Sequence, residues 1–114
     1  NKIIKIVHFE IQKKMNLFLK KYKSSKIVIL DIPLLLENKI NHNEDILVYV
    51  QSKKSCILNR LKRRKNFNQK LIKMFKSIQL PIRYKKKKSH YIIKNNFTKK
   101  SVNDGIKIIL KEIR

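Results

Sequence analysis

The stretch that decides the predicted fold is KIVILDIPLLLE, at residues 26–37. Its first six residues form a short run rich in β-branched side chains, and polar residues do not alternate with the apolar ones. Such a run is typical of a strand that is buried on both faces, as in a parallel sheet. We therefore predict a strand over residues 26–31, closed by Pro33, and a short helical segment over residues 34–37.

Segments on both sides of this stretch complete the pattern of a parallel α/β sheet. Upstream, apolar residues at helical spacing predict a helix over residues 2–23. Downstream, strands are predicted over residues 46–50 and 91–93. Three further helices are predicted, over residues 53–64, 68–79 and 101–113. Ser52 is the predicted N-cap of the first of them. Alternating strands and helices predict one α/β domain, with its ligand sites at the carboxyl ends of the strands.

The composition is strongly basic. The chain holds 30 Lys and Arg against 7 Asp and Glu, which gives a net charge of +23. A field of this sign attracts polyanions: nucleic acid, anionic lipid or phosphorylated small molecules. The excess rests on 25 Lys and only 5 Arg, in a chain rich in Ile and Asn. An AT-rich genome produces the same bias, so composition leaves both explanations open.

The sequence shows no targeting segment and no membrane-spanning segment. No apolar run approaches the roughly 20 residues that a helix needs to cross a bilayer. Cys56 is the one cysteine, which excludes a disulfide framework and indicates a reducing compartment. The hydrophobic content of 42% allows a modest core. We therefore expect a cytoplasmic protein without a membrane partner.

Three groups of residues are candidates for chemistry. Asp31 directly follows the apolar run, where an acid either holds Mg²⁺ through water beside phosphates or caps the next turn. Arg60 and Arg63 share one face of a predicted helix, where they either clamp a phosphoryl group or form a solvated basic surface. His8 and His90 have no Cys or acidic partner at ligand spacing, which favours ordinary surface roles over metal binding.

Several motifs, taken in order, resemble those of the dephospho-coenzyme A kinases. Residues 29–37, ILDIPLLLE, resemble the family's LDxPLLFE segment, and residues 60–63, RLKR, are similar to its RLxxR. Residues 79–95 follow its QMPxxxKxxxADxxIDN pattern without a gap. His8 and Phe9 stand where the family has an HP pair. The resemblance runs along essentially the whole chain.

This resemblance implies a fold and a reaction. The fold is α/β: a partial P-loop kinase-like parallel sheet with flanking helices and a helical lid over about residues 60–88. The reaction is an ATP-dependent phosphorylation of the ribose 3′-hydroxyl of dephospho-coenzyme A, with Mg²⁺ as the metal. ATP and dephospho-coenzyme A are therefore the expected small-molecule partners.

The resemblance also implies roles for individual residues. Asp31 would lie near the Mg²⁺ and the phosphates, with Arg60 and Arg63 closing over the transferred group. Asn95 and Lys85 would lie on the nucleotide side. The acceptor side would contain His8, Pro33, Leu34 and Glu37.

The chain departs from the family pattern in two ways. At single positions, Phe9 replaces the proline of the HP pair and Phe75 replaces a lid arginine. His90 and Lys94 replace the two aspartates of the third motif. The family's glycine-rich phosphate loop also has no counterpart, since Gly105 is the one glycine in the sequence. We therefore expect an incomplete kinase domain that is inactive alone, with a separate N-terminal fragment as a candidate partner. The alternative is a non-enzymatic basic module that binds nucleic acid.

Overall fold

The structure, a computed structural model, describes residues 2–113 except for the side chain of Phe75, so the predicted loss of a lid arginine at that position lies outside the described residues. Helices and strands follow one another as α1 (Lys2–Lys21), β1 (Val48–Gln51), α2 (Lys54–Lys62), α3 (Gln69–Ile78), α4 (Ile82–Lys88), β2 (Tyr91–Lys94) and α5 (Lys99–Ile113). The chain divides into two compact units, the first ending at His42 and the second starting at Asn43. The predicted α/β character is confirmed.

β1 and β2 form a parallel pair, as the sequence predicts. Val48 lies opposite Tyr91, and Gln51 lies opposite Lys94. The pairing continues past both ends of the strands. The N–H of His90 donates to the carbonyl of Leu47 at 2.8 Å, and the N–H of Asn95 donates to that of Gln51 at 2.8 Å. Parallel strands need a long crossover, which helices α2, α3 and α4 supply.

Helix α5 packs against β2 through a close contact between Gly105 and Ile93. The side chain of Ile93 is only 8% exposed. A Cβ atom at Gly105 would lie 3.0 Å from Cγ2 and 3.1 Å from Cγ1 of Ile93. The missing side chain at Gly105 therefore allows the helix backbone to approach the strand.

Side-chain caps fix the starts of two helices. The Asn68 side-chain oxygen accepts hydrogen bonds from the N–H groups of Lys70 and Leu71, at 2.9 and 3.4 Å. At the start of α5, the N–H of Ser101 donates to the hydroxyl of Thr98 at 3.2 Å. These bonds satisfy N–H groups that a helix cannot pair internally.

The prediction that Ser52 caps α2 is wrong. Lys53 occupies the N-cap position, and no side chain caps this helix. The hydroxyl of Ser52 instead donates to the carbonyl of Asn95 at 3.0 Å. A tertiary partner at the strand ends has therefore replaced the local cap.

The prediction of a strand over residues 26–31 is also wrong. Residues 27–32 have no regular secondary structure, and Ile29 is 82% exposed. A strand needs a ladder partner, and the sheet found among residues 2–113 contains only β1 and β2. Turns replace the short helix predicted over residues 34–37, because Leu34 has φ of 55°, which an α-helix does not accept.

Few apolar side chains are buried. Among the described residues they are Met15 and Ile40 in the first unit and Ile93 in the second. Full burial of such a side chain stabilises a fold by about 1.5–3 kcal/mol. Each unit therefore depends on a small number of packing contacts. No helix within residues 2–113 has the length and apolarity to cross a membrane.

Candidate functional site

The carboxyl edge of the parallel pair is the first candidate site. β1 ends at Gln51 and β2 ends at Lys94, side by side. Just beyond them, the hydrogen bond from Ser52 to the carbonyl of Asn95 links the two strand ends. Ligand sites of parallel sheets lie outside this edge. The structure therefore places Asn95 just beyond the carboxyl edge of the pair.

The loop that follows β2 is ordered by its own asparagine side chains. The side-chain oxygen of Asn95 accepts from the N–H of Phe97 at 2.8 Å. The side-chain oxygen of Asn96 accepts from the N–H of Thr98 at 3.0 Å. Phe97 takes a left-handed backbone conformation, with φ of 65°. The Asn95 oxygen keeps a second lone pair, so this side chain can contact a ligand through that oxygen or through its amide N–H groups.

Arg60 reaches this loop from helix α2. Its guanidinium carbon lies 4.4 Å from the centroid of the Phe97 ring, in a cation–π contact. Contacts of this kind at exposed sites contribute about 0.5–1 kcal/mol. The arginine is therefore held at the carboxyl edge. Sequence reasoning missed Phe97, because nothing local shows that it meets a helix that begins more than forty residues earlier.

Arg63 lies at the C-cap of α2 and is exposed. Its backbone angles, φ −80° and ψ −10°, still lie in the right-handed helical region. The two arginines therefore differ in their surroundings, since Arg60 stacks on an aromatic ring and Arg63 lies at the open end of the helix.

An open cavity of about 500 Å³ lies beside the strand ends. Its polar lining comes from Gln51, Lys86, Lys94 and Ser101, and its apolar lining from Ile92, Gly105 and Ile108. Two ammonium groups and two uncharged polar side chains suit an anion such as a phosphate. Lys86 is the α4 lysine that lines it, and the neighbouring Lys85, predicted on the nucleotide side, is not among the lining residues. Neighbouring lysines look alike in a sequence, and only the rotation of the helix distinguishes them.

The remaining predicted site residues lie in the first unit. Asp31 is exposed and follows the irregular run of residues 27–30. Pro33, Leu34 and Glu37 lie in the turns that follow it, where the N–H of Asn38 donates to the carbonyl of Leu34 at 3.0 Å. The predicted metal-side and acceptor-side residues therefore lie in the first unit, and the predicted lid and nucleotide-side residues lie in the second.

His8 has an unusual environment on helix α1. Its Nε2 atom is buried and has no hydrogen-bond partner among the residues that the structure describes. A buried polar atom without a partner costs about 1–3 kcal/mol. A bound ligand or an ordered water would supply the hydrogen bond that this atom lacks.

The described part of the chain contains no group of three or more His, Cys, Asp or Glu that could hold a metal ion. Mg²⁺ in phosphoryl-transfer sites commonly takes one or two carboxylates and fills its other positions with water and nucleotide phosphates. The single exposed carboxylate of Asp31 fits that arrangement. It does not fit a metal site built from protein ligands alone.

A family model described as dephospho-CoA kinase matches residues 1–101. The chain belongs to the dephospho-CoA kinase family. The resemblance inferred from the motifs is therefore confirmed. Among the family's members, dephospho-CoA kinase from Wolbachia pipientis wMel is 30% identical over 110 residues, which is 95% of this chain and 56% of that protein.

Other members of the family give the same result. Dephospho-CoA kinase from Bacillus cereus strain ATCC 14579 is 32% identical over 110 residues, 95% of this chain and 55% of that protein. The protein of the same name from the Wolbachia of Brugia malayi is 27% identical over 110 residues. The chain spans about half the length of the curated relatives it matches. No solved structure matches the chain significantly.

The family's RLxxR spacing adds one candidate residue. Counted from Arg60, the motif ends at Arg64 rather than at Arg63. Arg64 follows the C-cap of α2, and its N–H donates to the carbonyl of Leu61 at 3.2 Å. Arg63 and Arg64 are thus both candidates for the second lid guanidinium.

Proposed function

We propose that this chain carries the acceptor-side and lid parts of a dephospho-CoA kinase, which transfers the terminal phosphoryl group of ATP to the ribose 3′-hydroxyl of dephospho-CoA. The observation that carries the proposal is the family match over residues 1–101. The parallel β1–β2 pair would form part of the larger parallel sheet of a P-loop kinase. The cationic cavity at its carboxyl edge supports a phosphate-bearing ligand.

The proposed role of the arginines follows from the electrostatics of phosphoryl transfer. In the transition state, negative charge spreads over the transferred group, and catalysis consists largely of positioning and charge stabilisation. Arg63 and Arg64, exposed at the end of α2, are available to supply such charge from the lid. Arg60 would have to leave the Phe97 ring to do the same. Residues 60–88 would form the lid, with Lys85 and Asn95 on the nucleotide side.

The first unit would supply the metal-side acid and the acceptor contacts. Asp31 would hold Mg²⁺ through water, and the bound metal would supply positive charge beside the phosphates. The Nε2 of His8, which has no hydrogen-bond partner within the described part of the chain, would pair with the acceptor. Pro33, Leu34 and Glu37 would contact dephospho-CoA from the turns after Asp31.

One element of such a kinase does not lie within these 114 residues. Gly105 is the one glycine and packs against Ile93, so no glycine-rich loop is present to hold the β- and γ-phosphates. We therefore propose that the 114 residues do not turn over ATP and dephospho-CoA alone. The missing function would come from a segment that carries the loop, supplied in the same chain or as a separate fragment.

A reconstitution experiment tests this proposal. The part of the Bacillus cereus relative that lies outside the match would be joined to Asn1 or mixed with the chain, and coenzyme A formation would be measured. The expected result is no turnover by the 114 residues alone and measurable turnover after joining. Turnover by the chain alone would contradict the inactivity claim. A joined protein that binds ATP and dephospho-CoA but never transfers phosphate would contradict the kinase proposal.

The reconstituted protein also separates the arginines. Removing a guanidinium that contacts the transferred group lowers kcat by about 100-fold or more. We expect this loss for Arg63→Gln or Arg64→Gln. Lys62→Gln, which changes the same charge one residue away, is the matched control and should leave kcat nearly unchanged. Equal losses for all three variants would show that only the general positive field matters.

A further inference from the structure

The segment from residue 60 to residue 88 differs in charge from the rest of the chain. Of its 29 residues, 13 are Lys or Arg, and none is Asp or Glu. Residues 1–42 by comparison hold nine basic and three acidic residues. We call residues 60–88 the basic tract. Its charge is a local feature, beyond the general lysine richness of the sequence.

Helix α3, within this tract, is amphipathic. Lys70, Lys73 and Lys76 recur every three residues and therefore lie along one side of the helix. The other side carries Leu71, Met74 and Ile78. These three side chains are 43%, 52% and 52% exposed. We call them the α3 surface.

Helix α4 extends the same character. Ile82 is 62% exposed and Tyr84 is 45% exposed, ahead of four consecutive lysines. The basic tract thus combines exposed apolar side chains with a large excess of positive charge. A helix with lysines on one face and exposed apolar residues on the other is the form that lies in the interface of a membrane.

We infer that helix α3 docks onto an anionic phospholipid surface, with the α3 surface entering the acyl boundary and the lysines contacting the headgroups. Charge complementarity selects this partner, because the tract contains no acid that an anionic bilayer would repel. The lysine stems can lie along the apolar surface while their ammonium groups reach the phosphates. Nucleic acid would use the charges but leave the apolar side chains in water. Docking on a bilayer surface needs no membrane-spanning helix, so the lack of one within residues 2–113 does not oppose it. The inference does not depend on the proposed kinase activity.

Vesicle binding by the full 114-residue chain tests the inference. The probes are vesicles of phosphatidylcholine alone and of phosphatidylcholine with phosphatidylserine in equal parts, in a sedimentation assay at low and high salt. We expect binding only to the anionic vesicles, weakened by salt. Each basic residue at such a surface contributes about fivefold to binding. The combined change Lys70→Gln, Lys73→Gln and Lys76→Gln should therefore weaken binding by roughly 100-fold.

A matched control separates the α3 surface from overall charge. Lys23→Gln, Lys26→Gln and Lys39→Gln remove the same charge from turn and bend positions of the first unit, which belong to no amphipathic helix, and should weaken binding far less. Equal weakening by both triple variants would overturn the inference. Strong binding to phosphatidylcholine alone, or no binding to anionic vesicles at low salt, would also overturn it. Circular dichroism of each variant verifies that its helices remain.

Fluorescence reports directly on the apolar side chains. The chain contains no Trp, so a single introduced Trp gives a signal without background. Met74→Trp should shift its emission to shorter wavelength when anionic vesicles are added. Ile29→Trp, at an exposed position of the first unit, should not shift. No shift for Met74→Trp while the chain is bound would mean that charge alone carries the binding, and that result would overturn the docking inference.

Discussion

Two apolar runs of similar composition differ in structure. Residues 46–50, ILVYV, contribute most of β1, whereas residues 27–30, IVIL, form no strand and leave Ile29 82% exposed. β1 has β2 as a ladder partner, and α5 packs on β2. No strand among the described residues pairs with residues 27–30. An apolar run therefore shows only that a segment suits a sheet, and its neighbours decide whether a strand forms.

The sharpest test of this comparison replaces one isoleucine in β2, the ladder partner of β1, and one isoleucine in residues 27–30. Ile93→Ala should lower the free energy of unfolding of the second unit by about 2–4 kcal/mol, because it removes buried methyl groups and leaves a cavity. Ile29→Ala, at an exposed position, should change stability by less than about 0.5 kcal/mol. Urea denaturation followed by circular dichroism measures both. Similar losses at the two sites would show that residues 27–30 are packed after all.

The contact between α5 and β2 gives the next largest effect. Gly105→Ala gains about 1 kcal/mol of helix propensity, but it places a methyl group 3.0 Å from Ile93. Overpacking of this kind costs about 1–3 kcal/mol, so the net change should be a loss of about 1 kcal/mol. In the Ile93→Ala background the clash is absent, and the same substitution should stabilise the protein. A double-mutant cycle in which the two changes are additive would contradict the proposed packing.

A smaller effect is expected at a local cap, which needs no tertiary partner. Asn68→Ala should cost about 1 kcal/mol, because the N–H groups of Lys70 and Leu71 lose their acceptor. Hydrogen exchange at these two amides should accelerate, while exchange at Asn95 in the β1–β2 pair should not. Asn66→Ala is the control in the preceding loop. Faster exchange throughout the second unit would show that the α3 cap also supports the sheet.

The smallest effect concerns the alkaline limit of the second unit. Partial burial, and then the hydrogen bond and negative charge of Glu112, raise the pKa of Tyr91 above its ordinary value of 10.0. Because its pKa is raised in the folded state, protonated Tyr91 contributes to stability. This contribution is complete below pH 10 and is lost as the pH rises through the raised value. Glu112→Gln should lower the pKa of Tyr91. Ultraviolet titration, with Tyr91→Phe as the reference, measures the change, and an unchanged titration would exclude Glu112 as a cause.

Local patterns predicted most of the helices and the parallel sheet well. Helix α1 was predicted over residues 2–23 and spans Lys2–Lys21, because apolar periodicity survives in one continuous segment. The strand at residues 91–93 was found nearly as predicted. The errors arose where a residue's partner lies far along the chain. Ser52 bonds to Asn95 instead of capping α2, and residues 27–30 lack the strand partner that their composition suits.

The candidate site divides in the same way. Asn95 lies at the carboxyl edge, and the position of that edge follows from the order of strands and helices. The stacking of Arg60 on Phe97 could not be predicted, because it joins residues from two separate elements. The choice of Lys86 over Lys85 as a cavity residue depends on the rotation of α4 against the sheet. The roles of Asp31, His8 and the turn residues remain predictions.

The sequence by itself determined the family, the positive charge, the helices other than α4 and the parallel order of the strands, because motifs, composition and periodicity are properties of continuous segments. The tertiary structure decided which apolar run became a strand, how closely α5 approaches β2, and which side chains meet at the carboxyl edge. Those outcomes depend on contacts between residues far apart in the chain, such as the bond from the N–H of Leu47 to Nδ1 of His90 at 2.9 Å. Such contacts form only when the backbone ladder brings the two segments together.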